Sequence, residues 1–559
     1  MSRRVVFREA LLCDGLGSAP RTGDLAVEDG RIVEVDLVTL GGASKRAGGD
    51  VEVIDARGLV LAPGFIDIHS HADFSLPRDP LAPSKLLQGV TTEVIGNCGM
   101  GLYPANPAVE DMVRHLAPMV FGETGAESSP SLRAYRERLE AEGVSVNVAP
   151  LVAHGNLRAM AMGMAERRPT TAELAIMTHE AAKAMVEGAF GLSTGLVYAP
   201  GTYAETDELV EVARAVAAYG GLYATHLRDE GSRLEQSVAE ALEIGERAEI
   251  SVQLSHHKAV GKPNWGKVAK TLAMVDEANR RGLDVHSDVY PYTAGASVLA
   301  TVFLPRWAFE GSLDKLLERL ADPTLRARMI RDAKAQLLDQ VTLPGVLAAL
   351  PKRWLAPVIF KTLAKAMIIN SVKRQRQHEG QSLAELAAAR GKPLYEAVYD
   401  LLLEEDAAVT AIAHLIDERD VRAVLRHPRT MIGTDGYALR EGKAHPRTYG
   451  TYPRVLERYV RGEGLLTLED AIFRMTGLPA QKLGLVDRGT LAAGQAADLV
   501  LFDPGALRDR ATFADPHRSP EGLLHVLVNG QFTVRDGGHT GARAGQVLRK
   551  AASPPRARH

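Results

Sequence analysis

Six residues able to bind a metal or move a proton each follow a short apolar run. His69 and His71 close the stretch Leu59-Val60-Leu61-Ala62-Pro63-Gly64-Phe65-Ile66-Asp67-Ile68-His69-Ser70-His71. Side chains two apart on a strand share a face, so both imidazoles can point into one space and grip one ion. A lone His-x-His carries little weight, but later stretches supply partners. Cys98 sits between glycines after residues 89–95, where a thiolate could ligate or bridge a metal. His226 follows Gly221-Leu222-Tyr223-Ala224-Thr225, and His256-His257 follows Ser251-Val252-Gln253-Leu254-Ser255. Alternation lets only one of that pair face the same space readily. Asp435 ends Thr430-Met431-Ile432-Gly433-Thr434-Asp435. Taken alone it suits a turn or helix cap equally well. His154 also follows a strand-like run and reads as structural.

From Gly64 onward, apolar strands alternate with helical stretches, which predicts βα units and a parallel sheet. Candidate strands cover residues 65–68, 89–95, 145–152, 190–194, 221–225, 251–255, 283–290 and 430–433. Helices are expected over 170–187, 207–219 and 234–248. Eight strands with polar residues at their C-terminal ends predict an α/β fold, a (β/α)8 TIM barrel over residues 64–477 with its chemistry at that end. Residues 305–380 interrupt it. Leu313, Leu316, Leu317 and Leu320 follow helical spacing, so a helical insertion is expected, and Ser382-Leu383-Ala384-Glu385 caps a helix beyond it. Residues 1–63 and 478–559 read as short strands with turns, expected to form a small β-sandwich from both chain ends. The loop over residues 41–49 and a disordered tail from about residue 541 follow from composition.

The 559 residues carry a net charge of -3, which argues against nucleic acid as the main partner. Two cysteines, Cys13 and Cys98, give no disulfide framework. The basic run over 361–376 reads as a solvated helix face. Charges interrupt every apolar run before membrane-span length, so a soluble cytoplasmic protein is expected.

The opening Pro63-to-His71 stretch and Thr434-Asp435-Gly436 near the barrel's close resemble the amidohydrolase superfamily. Gly96-Asn97-Cys98-Gly99, Thr225-His226-Leu227-Arg228-Asp229-Glu230-Gly231, Ser255-His256-His257-Lys258 and His445-Pro446-Arg447-Thr448-Tyr449 resemble its N-acyl-D-amino-acid deacylase (D-aminoacylase) branch. The resemblance implies a tight Zn2+ on Cys98, His226 and His256, with His69 and His71 forming a second, weaker position. It selects His256 over His257 by the order of the His-His-Lys stretch. It also implies that Arg447, Lys258 and Tyr290 hold the α-carboxylate of a small N-acyl amino acid. Residues 190–195 offer no Lys to bridge two metals, which counts against the ring-opening dihydroorotase and dihydropyrimidinase relatives. On this reading zinc supplies hydroxide at neutral pH, and Asp435 takes the water's proton and passes it to the leaving amine. Another linear or cyclic amide, or a non-catalytic metal-bound scaffold, are the alternatives.

Overall fold

The computed structural model describes residues 4–36, 51–121, 127–341, 351–437 and 443–551. The loop expected over residues 41–49 lies outside them.

Each candidate strand from residue 65 to 433 is present, and the parallel ones fall into two sheets. Phe65–Asp67, Val90–Ile95 and Asn147–Pro150 form one. The other orders Val152–Ala153, Gly191–Gly195, Leu222–His226, Ser251–Leu254, Val285–Val289 and Thr430–Ile432. The chain passes from the first sheet to the second at Leu151, whose N–H donates to Ile95 (2.9 Å). A second seam joins Ser70 to Gly436 as a parallel bridge, with the Asp435 N–H donating to His69 (2.8 Å) and the His71 N–H to Gly436 (3.0 Å). This is an α/β fold.

Helices cover the strands as their patterns require. Leu234–Ala248 buries Leu234, Val238, Ala241, Leu242, Gly245 and Ala248, one stripe at helical spacing. Thr171–Val186 is opened by a reciprocal capping box between Thr170 and Glu173, and Leu383–Arg390 by one between Ser382 and Glu385.

Strands from both chain ends form one hydrogen-bonded nine-stranded sheet that folds back on itself, with the Ile32 N–H reaching Gln495 (2.9 Å) and Phe7, Leu25 and Ile32 sharing a core with Leu499, Leu501 and Leu527. Its two halves meet where Leu499–Phe502 pairs antiparallel with Val60–Pro63, a pairing that neither segment announces. Two expectations are corrected. The expected disordered tail is ordered as far as residue 551. Val547 and Leu548 are buried, and backbone bonds from Gly545 to Val144 and from Leu548 to Val148 dock the segment beside the Asn147–Pro150 strand. The last eight residues lie outside the described ones. Finally, the insertion is wider than 305–380 and not wholly helical. The helices Leu313–Ala321, Pro323–Gln340 and Lys352–Ala366 pack with an antiparallel sheet of Gly295–Val298, Val409–Ala413 and Met367–Val372. With the helices Leu299–Phe303 and Leu394–Glu404 these elements share their own apolar core, including Leu299, Phe303, Leu320, Ile369 and Tyr399.

Candidate metal centre and pocket

His69 and His71 lie on the turn just after the Phe65–Asp67 strand, and Cys98 on the turn after Val90–Ile95. His226 ends its own strand, His256 follows Ser251–Leu254, and Asp435 follows Thr430–Ile432. Three of these residues have left-handed backbone: Cys98 (φ 52°), His256 (φ 36°) and Asp435 (φ 46°). Non-glycine residues rarely adopt it, and such strain gathers where a side chain must be aimed. Glycine neighbours make the aiming possible. A side chain on Gly99 (φ 67°) would meet the Gly195 backbone at 2.6 Å, and one on Gly433 would meet the His69 Cβ at 2.8 Å.

The donor atoms converge on Cys98. Its Sγ lies 3.3 Å from His69 Nε2, 3.7 Å from His256 Nε2 and 3.8 Å from His226 Nδ1. Nitrogen and sulfur donors bound at about 2.0–2.3 Å to one tetrahedral ion would stand roughly 3.3–3.6 Å apart, so the set fits zinc. Burial opposes ionisation of the thiol, but His69, His226 and His256 together hold its pKa well below the usual range. A thiolate among imidazoles is the donor chemistry that zinc takes. Among the described residues, three groups have donor atoms within 4.8 Å of one another: His69 with Cys98 and His256, His69 with His71 and Asp435, and His226 with Glu230 and His256. His69, placed by the resemblance at the weaker position, is thus the imidazole nearest the sulfur.

His257 turns the other way, with Nε2 2.8 Å from Thr271 Oγ1 on the helix Val268–Arg280. Burial lowers its pKa to about 4. His154 is tied to Glu208 at 3.0 Å and stays out of the cluster.

Asp435 points Oδ1 at His71 Nε2 (3.3 Å) and Oδ2 at Arg447 Nη1 (2.8 Å). Burial raises its pKa, but Arg447, His256 and His71 outweigh that and hold it well below the carboxylate range. Arg447 lies over the Tyr290 ring at 4.6 Å, and Lys258 over the same ring at 5.7 Å. The Arg447 Nε and the Tyr290 hydroxyl are buried without a hydrogen-bond partner in the protein. His71, Cys98, His226, His256, Asp435, Arg447, Lys258 and Tyr290 line one cavity of about 270 Å³, and His69, His154 and His257 do not. The insertion supplies its far wall through Val298, Val302, Leu337, Leu363 and Met367.

The amidohydrolase family pattern matches residues 52–534. The chain belongs to the amidohydrolase family. It is 37% identical to a D-aminoacylase of Alcaligenes xylosoxydans xylosoxydans, covering 97% of this chain and 96% of that one. It is 35% identical to an N-acyl-D-glutamate deacylase of the same organism, covering 98% and 97%. Among solved structures it resembles the N-acyl-D-glutamate deacylase of Bordetella bronchiseptica complexed with zinc and a phosphonate inhibitor that mimics the tetrahedral intermediate. That match has 33% identity, a TM-score of 0.79, and coverage of 98% of this chain and 99% of that one.

Within this family member, two carboxylates singled out by no sequence argument brace the histidines. Asp288 lies 3.2 Å from His69 Nδ1 and accepts the His256 N–H (2.8 Å) and the Gln253 amide (2.7 Å). Glu230 lies 3.1 Å from His256 Nδ1 and 2.6 Å from Lys258 Nζ. A carboxylate on the second nitrogen fixes how an imidazole presents its first. Asp288 had a readable signal, being two residues before Tyr290 at a strand end. Glu230 sat within the Thr225-to-Gly231 stretch, where nothing separated it from Asp229.

Proposed function

We propose that the protein is a zinc-dependent N-acyl-D-amino-acid deacylase, hydrolysing the amide to a carboxylate and a D-amino acid. One observation carries the reading: the Cys98 sulfur, among three imidazoles, shares a cavity with Asp435 and with two cations stacked on Tyr290. The D configuration rests on the names of the relatives.

Cys98, His226 and His256 would hold the tight zinc, with His69 and His71 as a second, weaker position. When bound, zinc lowers the pKa of water toward ~7 and stabilises charge on the acyl oxygen. Asp435 takes the proton of the attacking water at Oδ1 and returns it to the amide nitrogen as the C–N bond breaks. Arg447 fixes the other oxygen of Asp435 and keeps its Nε for the substrate. That donor, the Tyr290 hydroxyl and the Lys258 ammonium receive the α-carboxylate, which aims the scissile carbonyl at Cys98. The insertion wall keeps bulk water from the reacting groups. We infer further that the two parallel sheets close into one eight-stranded (β/α)8 barrel, supported by the seams at Leu151 and at Ser70–Gly436.

The test is hydrolysis of N-acetyl-D- and N-acetyl-L-amino acids, with and without added zinc. Turnover of the D series with zinc is expected. Turnover of neither series with zinc bound would overturn the assignment.

A further inference from the structure

Beneath the metal centre, Lys85 is 2% exposed on the short helix Pro83–Leu86, and no step above uses it. Its Nζ lies 2.6 Å from Asp67 Oδ2, 2.8 Å from Thr434 Oγ1, 3.0 Å from Glu93 Oε2 and 3.1 Å from Ser70 Oγ. Burial disfavours the charge, but Asp67 and Glu93 keep the amine an ammonium. A buried charge is costly unless it is paired, and here both carboxylates do further work. Asp67 Oδ1 accepts the Thr434 N–H (2.8 Å) and the His69 N–H (3.3 Å). Glu93 accepts the Ser70 hydroxyl (2.5 Å). The Thr434 hydroxyl donates to Asp67 Oδ2 (2.6 Å) and accepts the Gly436 N–H (3.0 Å) as well as Lys85. Every hydrogen-bonding capacity of that hydroxyl is used. Ser70 stands between His69 and His71, and Thr434 directly precedes Asp435. One ammonium therefore touches both the turn that carries the histidines and the turn that carries the base.

We propose that Lys85 is a positioning residue, which through Thr434, Asp67 and Ser70 holds the Asp435 turn in register with the His69–His71 turn. The network touches no substrate, and its catalytic meaning rests on the deacylase reading above. A shift of about 1 Å at reacting groups can cost on the order of 100-fold in rate. Besides this network the turns are joined by the Asp435 N–H to His69 and His71 N–H to Gly436 bonds of the seam, by Ser70 Oγ to the Gly436 carbonyl (3.4 Å) and by the His71–Asp435 contact.

The test compares Thr434→Val, which keeps the shape and loses the hydroxyl, with Thr434→Ser, which keeps the hydroxyl, in the full-length zinc-loaded protein. Lys85→Met is the direct variant but leaves two buried carboxylates unpaired and can fail to fold, so the threonine pair decides. Thr434→Val should lower kcat by roughly 30- to 100-fold, with KM and zinc content within about twofold of the parent. Thr434→Ser should stay within about threefold. Independently of activity, amide hydrogen exchange should quicken in Thr434→Val, and not in Thr434→Ser, in peptides covering residues 66–73 and 431–437 alone. Equal behaviour of the two variants overturns the proposal, as does a loss confined to KM or to zinc content. A parent that turns over no N-acyl-D-amino acid overturns the deacylase reading instead, and the exchange comparison still decides whether Lys85 positions the two turns.

Discussion

The floor and the far wall of the cavity are built on opposite principles. The floor is polar, and its groups stand at the ends of parallel strands. Cys98, His256 and Asp435 have left-handed backbone, and His69 and His256 are braced by the buried Asp288 and the half-buried Glu230. The wall is apolar and belongs to an insertion with an apolar core of its own, separate from that beneath the floor. Strain on the floor is sustained by the sheet ladder under it. The wall needs only shape, so it can change without disturbing the donors.

The sharpest way to break this contrast is at the floor. Cys98→Ala should lose zinc and leave less than about one-thousandth of kcat/KM, because water activation goes with the metal. Metal analysis showing full zinc content in that variant would remove Cys98 from the centre. Next in size, Asp435→Asn should cut kcat by about 100- to 1,000-fold while retaining zinc, the usual range for losing a general acid–base. Steady-state kinetics beside metal analysis distinguishes the two kinds of loss.

Much of the floor was legible because strand ends advertise themselves. The runs Leu222-Tyr223-Ala224 and Met431-Ile432-Gly433 are short and apolar, and each is followed by a threonine and then His226 or Asp435, groups no core would choose. The wall was not legible for two reasons. Met367–Val372 falls inside a basic run that reads as helix, and its partner, Val409–Ala413, lies some forty residues away. Periodicity within one segment carries no information about such pairing. Lys85 was hidden similarly, since its acceptors Asp67, Glu93 and Thr434 come from three stretches far apart in the sequence. The Val547–Leu548 pair was masked by the glycines and arginines around it.

Smaller effects are expected where floor meets wall. Arg447→Ala should lower kcat/KM for N-acetyl-D-amino acids by roughly 30-fold or more, the loss of one charged partner at a desolvated site. Substrates amidated at the α-carboxyl should be poor for the parent and nearly indifferent to the change. If the amides react as fast as the acids, Arg447 does not hold the carboxylate. Lys258 and Arg447, both outside the wall, are the only lysine and arginine lining the cavity among the described residues. With both engaged by the α-carboxylate, a second carboxylate on the substrate would be buried unpaired. N-acetyl-D-leucine should therefore be preferred over N-acetyl-D-glutamate by about 10-fold or more in kcat/KM, and Leu363→Arg should narrow the gap. A parent that prefers the glutamate derivative would mean that the wall does not choose by apolarity.

The smallest expected effect tests the contrast inside one dipeptide. His256 and His257 are chemically identical neighbours, yet the left-handed backbone at His256 and the alternation after it send the rings to opposite sides. His256 Nε2 faces Cys98, whereas His257 Nε2 reaches Thr271 on a covering helix. Removing His257 deletes one buried hydrogen bond and leaves a cavity, a cost to stability of about 1–3 kcal/mol that acts away from the donors. His257→Ala should lower the unfolding temperature while kcat/KM and zinc content stay within about threefold of the parent. His256→Ala should do the reverse, losing zinc and activity with a lesser change in unfolding temperature, because it removes a ligand from a centre whose scaffold is carried by the sheet. Thermal denaturation, metal analysis and kinetics on the two variants separate these outcomes. If zinc content follows His257 instead, the ring that the backbone turns outward is the ligand, and the floor does not hold its donors by strand geometry.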